Sequence, residues 1–404
     1  MSQRIVASPA ASPATSIGKV ALYSAVDDLL THFDVDVESG TLTRRATIRT
    51  LAKVQYAWTH PDGCHLYVST SNGGPRVPSD RNHVSAYAID RDGALSMVGA
   101  ARPLSRRAVH MCVDPAGRHA LNGHNFPMSG ITVHTLENDG SLGAEIEPVA
   151  ALDYGVYPHQ VMMFPSGRTA LIVDRGNKAQ AGKAEEPGAL RSFGFADGVL
   201  SAGQVVAPGG GYGFGPRHVS FHPSQPWMYA TDERSNRLYM FRVPGDRMDN
   251  QPAFTRDTLA NPSTVSPRQL AGAIHVHPTG HTVYVANRAD HSVEVDGRRV
   301  FDGGENNIAV YAIDSATGEP TLIQHADTRS IHVRTFAFEP GGRLLVTASI
   351  KPLAVSENGA VRDVPAALSV FRIGERGELD YIRQYAIETG AGQMQYWMGM
   401  VGLR

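Results

Sequence analysis

Two cysteines, Cys64 and Cys112, are all that this 404-residue chain carries. That number excludes a disulfide framework, and a chain of this length builds its core without one, so two free thiols and a cytoplasmic setting are expected. Long apolar runs are missing as well. With no stretch of about 18 apolar residues, neither a spanning helix nor a membrane partner is expected. Residues 1–17 are rich in Ala, Ser and Pro without a continuous apolar segment, and read as a flexible arm ahead of one domain over 18–404. An excess of either charge is also absent, because 37 Lys and Arg face 39 Asp and Glu. Both signs are spread along the chain, which excludes the basic face that a nucleic-acid partner requires.

Helical periodicity is nearly absent too, whereas glycine (41) and proline (25) are plentiful. They punctuate a repeat. A short apolar segment, a Pro turn and a second apolar segment recur at His60-Pro61-Asp62-Gly63, Asp114-Pro115-Ala116-Gly117, Phe164-Pro165-Ser166-Gly167, His222-Pro223-Ser224-Gln225, His277-Pro278-Thr279-Gly280 and Glu339-Pro340-Gly341-Gly342. A spacing of roughly 50 to 60 residues fits four antiparallel strands per unit, the pattern of a β-propeller. A further unit begins at Val20-Ala21-Leu22-Tyr23 but lacks the inner hairpin. The terminal segment Gln395–Val401 can supply the missing strand, pairing the two ends of the chain and leaving no open sheet edge. The expected fold is all-β, a seven-bladed propeller. Longer insertions at 175–188, 244–269, 289–305 and 350–364 read equally well as a lid or as passive surface loops.

Counting six residues back from each turn proline gives the start of the first strand of each hairpin. The series is Gln55, Val109, His159, Arg217, Gly272 and Arg334, and one position on lie Tyr56, His110, Gln160, His218, Ala273 and Thr335. In a propeller this strand is innermost, so its start sits at one mouth of the central channel. An antiparallel hairpin places the start of its first strand beside the end of its second. Folding therefore brings His159 near Asp174, Arg217 near Glu233 and Gly272 near Arg288. Imidazoles, guanidiniums and a carboxylate gather at one mouth, although any one of them can equally be hydrated or paired there. His60, His222 and His277 occupy the place of Asp or Glu in the sister turns and are assigned to turn chemistry. The stretch Gly209–Gly215 resembles a phosphate loop, but no Lys-Ser/Thr pair follows it, and it reads as a linker into the fifth blade. No Gly-x-Ser-x-Gly elbow, His-Glu-x-x-His or Cys-x-x-Cys is present, which argues against serine-hydrolase, zincin and structural-zinc chemistry.

Pro158-His159, Gly215-Pro216-Arg217-His218 running into Phe221-His222-Pro223, Glu233, and Ala286-Asn287-Arg288 are the segments in which the chain resembles the propeller lactonase family. That family includes propeller-type 6-phosphogluconolactonase and carboxymuconate lactonising enzyme. The resemblance begins near Val20. It implies an active site lined by His159, Arg217, Glu233 and Arg288, with Asp174 and His218 close by, and the expected substrate contacts are His110, His218, Asp174, Asn287 and Arg334. Ala271-Gly272-Ala273-Ile274, Val333-Arg334-Thr335, Thr347-Ala348-Ser349 and Arg175-Gly176-Asn177-Lys178 depart from the family pattern, so the substrate contacts of those blades differ.

The resemblance implies a hydrolase of carbohydrate metabolism or aromatic-compound degradation. Its partner is a small, anionic lactone, either a sugar lactone or one from aromatic ring cleavage. Lactone hydrolysis needs an activated water, a stabilised oxyanion and a proton for the leaving oxygen. His159 or Glu233 is expected to act as base with the other handling the second proton, while Arg217 and Arg288 hold a carboxylate or the oxyanion. No cofactor is expected. The alternatives are a muconate-type lactonising cycloisomerase, one divalent metal ion held by His110, His159 and His218, and a non-catalytic binding scaffold.

Overall fold

The computed structural model describes residues 18–357 and 360–404. The expected N-terminal arm, 1–17, lies outside the described residues. Four-stranded antiparallel sheets form seven blades. The second blade starts at Lys53–Thr59, the third at Ala108–Val113, the fourth at Pro158–Met163, the fifth at Pro216–Phe221, the sixth at Leu270–Val276 and the seventh at Val333–Phe338. In the first blade the innermost strand is Gln395–Gly402, paired antiparallel with Val20–Val26. These seven inner strands touch one another in sequence, and Gln395–Gly402 meets both Val333–Phe338 and Lys53–Thr59. The ring is thus closed by the two ends of the chain. No α-helix occurs among the described residues, which hold two short 3-10 turns, and no helix is long and apolar enough to cross a membrane.

Adjacent blades are stitched by a repeating pair of bonds. Tyr23, Tyr67, Tyr229 and Tyr284 each donate a hydroxyl to a glycine carbonyl of the following blade, at 2.7–2.9 Å. His60, His222 and His277 place Nε2 2.8–2.9 Å from the carbonyl of the next blade's turn glycine. Their imidazoles therefore do structural work. Gly117, Gly280 and Gly342 are left-handed there, and a Cβ on any of them would run into that imidazole.

Two of the four insertions are hairpins. Ser292–Val295 with Arg298–Phe301 and Leu353–Glu357 with Ala360–Val364 form two hairpins, joined in parallel at Val300 and Ala354 into an additional four-stranded sheet. The insertion at 244–269 contains Phe254–Asp257, the outer strand of the fifth blade.

Candidate active site

One irregularity recurs in every blade. The pairing of the inner strand with its neighbour slips at Gln55, Val109, His159, Arg217, Gly272 with Ala273, Arg334 and Tyr396. A bulge leaves one residue unpaired and re-aims its side chain, and these bulges fall at the positions that the six-residue count selects. Tyr396 is the member supplied by the C-terminal strand, which has no turn proline to count from. Four of them, Val109, His159, Arg334 and Tyr396, line a cavity of about 660 Å³ together with Glu233 and Arg288.

Two other counts reach the same cavity. Ten residues after the turn proline stand Asn125, Arg175, Glu233 and Arg288, all on its wall. Eight before it stand Arg107, Tyr157, Leu270 and His332, also on its wall. Sequence reasoning found Glu233 and Arg288 from the hairpin pairing but missed Arg107, Asn125, Arg175, His332 and Tyr396, although counting from the turn proline reaches all but the last. Arg76 reaches over from the second blade, donates to Asn177 Oδ1 at 2.7 Å and joins Lys178 in roofing the cavity.

Glu233 is the electrostatic hub. Its Oε1 accepts Arg288 Nη2 at 2.7 Å and lies 3.3 Å from Arg217 Nε, while Oε2 accepts Arg175 Nη1 at 2.6 Å. Burial alone would raise its pKa, but the three guanidiniums outweigh burial and hold it at about 2. At that value Glu233 is an anion and a weak base at pH 7, which favours His159 over Glu233 as the expected base. The carboxylate offsets part of the charge of an arginine trio, two of them buried and Arg175 partly exposed, and fixes their direction. Arg288 also turns Nη1 to His332 Nε2 at 3.4 Å. The other ring nitrogen of His332 lies 3.5 Å from Asp290, which Arg268 grips at 2.7 and 3.2 Å.

His159 is half-buried on the cavity wall, and its Nδ1 is buried without a hydrogen-bond partner. Burial and the nearby Arg217, Arg175, Arg334 and Arg288 push its pKa well below 6.5, so it is a neutral imidazole at pH 7. Arg217 and His218 lie beneath the cavity wall, with Arg217 Nη1 3.2 Å from His218 Nδ1. His110 is fully buried further in, stacked at 3.7 Å on Tyr56, with neither ring nitrogen partnered.

Two expected substrate contacts face elsewhere. Asp174 is fully buried and accepts the backbone N–H groups of Val156, Tyr157 and Gly176 and the Nε of Arg191, so it locks the entry to the fourth blade. Asn287 donates to Thr258 O and Asn307 Oδ1, bracing the sixth blade against the fifth. The rings of His110, His159 and His218 stand in a chain, with centroids 5.7 and 5.1 Å apart. Among the described residues the sole group whose metal-binding atoms all converge within 4.8 Å is His60, Asp62 and His65, in the blade-stitching turn. The three channel histidines do not bring their ring nitrogens together within that distance, and the Arg217 guanidinium lies against His218.

The family described as Lactonase, 7-bladed beta-propeller matches residues 20–356. The chain belongs to this lactonase family. It is an enzyme, a lactonase of the carboxylic ester hydrolase class. Its relatives include the 6-phosphogluconolactonase of Bacillus subtilis (strain 168), 26% identical over 330 residues, which cover 78% of this chain and 83% of that protein. Another is the 6-phosphogluconolactonase of Yersinia enterocolitica, 23% identical over 368 residues, covering 91% and 93%. Among solved structures, the periplasmic gluconolactonase of Pseudomonas aeruginosa superposes with a TM-score of 0.73 at 20% identity, covering 96% of this chain and 100% of that one. At that identity the likeness establishes the propeller fold alone.

Proposed function

We propose that this lactonase hydrolyses a small sugar lactone at the mouth of its channel, with a neutral imidazole as base and buried guanidiniums as the oxyanion site. The observation that carries the reading is His159 on the cavity wall, held neutral beside an arginine trio that shares the single carboxylate of Glu233. Water attacks the lactone carbonyl and gives its proton to the cavity-facing nitrogen of His159. The negative charge that develops on the carbonyl oxygen is held by Arg288, supported by Arg217 from below. The ring C–O bond then breaks, and the leaving oxygen takes the proton back from His159. The products are a hydroxyl and a carboxylic acid on one open chain, and the acid releases its proton to solvent to become the carboxylate.

The arginines that keep the imidazole neutral also make it a poor base until an anion arrives. An anionic lactone offsets their field and raises the basicity of His159 in the complex. The channel histidines supply no fitted metal site, so the reaction is expected to persist in EDTA.

The test is a panel of gluconolactone, 6-phosphogluconolactone and an unsaturated ring-fission lactone, followed by pH-stat with and without EDTA. Turnover of a sugar lactone in EDTA supports the proposal. Loss of turnover in EDTA would overturn its metal-free mechanism. Conversion of a muconate to its lactone, with no sugar lactone opened, would instead establish the cycloisomerase.

A further inference from the structure

Five arginines of the mouth have a carboxylate partner, whereas Arg76, Lys178, Arg107 and Arg334 have none among the described residues. Arg175, Arg217 and Arg288 share Glu233, Arg234 is paired with Glu185, and Arg268 with Asp290. Arg107 has no such partner among the described residues. It is 2% exposed, and it donates only to the neutral acceptors Gln55 Oε1 at 2.9 Å and Asn125 Oδ1 at 3.1 Å, while its Nε has no partner. Arg334, on the seventh blade, lies with its guanidinium carbon 3.6 Å over the ring of Tyr396 and gives Nε to the Tyr396 carbonyl at 3.1 Å. It too has no carboxylate among the described residues.

An arginine cannot shed its proton to escape burial. Taking its charge out of water costs several kcal/mol unless an anion answers it. Gln55 and Asn125 satisfy hydrogen bonds but supply no charge, so the fold keeps Arg107 at a cost that a bound anion would offset. Tyr396 reflects the same field. Burial alone would push its phenol up, yet Arg334 and Arg107 outweigh burial and hold it below its ordinary value.

We propose that Arg107, Arg334 and Tyr396 form a second anion subsite, which binds a phosphate or carboxylate substituent of the substrate remote from the lactone carbonyl. All three line the same cavity as His159, Glu233 and Arg288. They come from the third, seventh and first blades, whereas the catalytic group comes from the fourth to sixth. A substrate thus spans the mouth, with its carbonyl at one rim and its anionic tail at the other. The assignment rests on the lactonase reading for the identity of the substrate, but the anion site itself can be read without turnover.

The experiment compares kcat/KM for 6-phosphogluconolactone, a glucaric acid lactone and uncharged gluconolactone in wild type, Arg107→Met and Arg334→Gln, and uses inorganic phosphate as an equilibrium probe. Wild type is expected to prefer an anionic lactone, and the more favoured of the two names the group the subsite takes. Arg107→Met is expected to lower the ratio of anionic to uncharged kcat/KM about 30-fold or more, the effect of removing one partner of a buried charged contact. Phosphate is expected to raise the Tm of wild type and not that of Arg107→Met. If Arg107→Met does not fold, Arg334→Gln must show the same direction in both readouts. Unaltered ratios and an unaltered phosphate response would overturn the subsite. Phosphate binding that depends on these arginines, in a protein that opens no lactone, would support the subsite while overturning the lactonase chemistry.

Discussion

Arg288 Nη2 sits 2.7 Å from Glu233 Oε1, and this bond ties the sixth blade to the fifth at the rim of the channel. It places a guanidinium where a carbonyl oxygen can meet it and takes away the basicity of the carboxylate. Replacing Glu233 by Gln leaves Arg175, Arg217 and Arg288 facing one another without an anion. Breaking such a buried pair costs about 3–5 kcal/mol, and a clear fall in the urea midpoint is expected. Because Glu233 is held at about 2, the acid limb of kcat/KM above pH 4 belongs to another group. In Glu233→Gln that limb should survive. A limb that vanishes would return Glu233 to proton transfer.

Substrate charge should be visible in the pH profile. In free enzyme, burial and four arginines depress His159, and burial, partly offset by Asp290, holds His332 at about 4. The profile of kcat/KM reports this free state, and that of kcat reports the complex. An anion about 6 Å from the imidazole raises its pKa by roughly one to two units at an effective dielectric near 20. With an anionic lactone the acid limb of kcat should therefore lie at higher pH than that of kcat/KM. With an uncharged lactone the two should nearly coincide. Coincident limbs for both substrates would count against His159 as the base.

The propeller was legible because its turns are chemical. Every turn carries a Pro and five of the six a Gly as well, and six turns at near-even spacing leave few other folds open. The seventh inner strand could be placed only by elimination, and so Tyr396 went unnoticed. The site was half legible. Counting back six residues finds the bulges, because the bulge is a property of the strand start and every blade repeats it. The counts of eight back and ten forward work for the same reason, and they would have found Arg107, Arg175 and His332. Asp174 and Asn287 were over-read, since strand-end polar residues serve the backbone as readily as a ligand. The register of the two inserted hairpins was hidden, because a contact between insertions 50 residues or so apart leaves no period to count.

His110 offers a test of structure against function. Both ring nitrogens are buried without partners, and burial pushes its pKa well below 6.5. The unfolded chain protonates this group near 6.5 while the folded chain resists, so its contribution works against the fold as pH drops below about 6.5. His110→Phe keeps the stacking shape on Tyr56 and removes two unsatisfied polar atoms. Its Tm should equal or exceed that of wild type at pH 7, and the loss of Tm between pH 7 and pH 5 should be smaller. A less stable variant with an unaltered pH dependence would mean that the buried imidazole makes bonds which the fold needs.

The most direct measurement is the initial rate of sugar-lactone opening by wild type and His159→Ala, followed by pH-stat in EDTA. The account predicts full wild-type turnover in the chelator and a fall in kcat of about 10²-fold or more in the variant. An active His159→Ala enzyme, or a wild type silenced by EDTA, would contradict it.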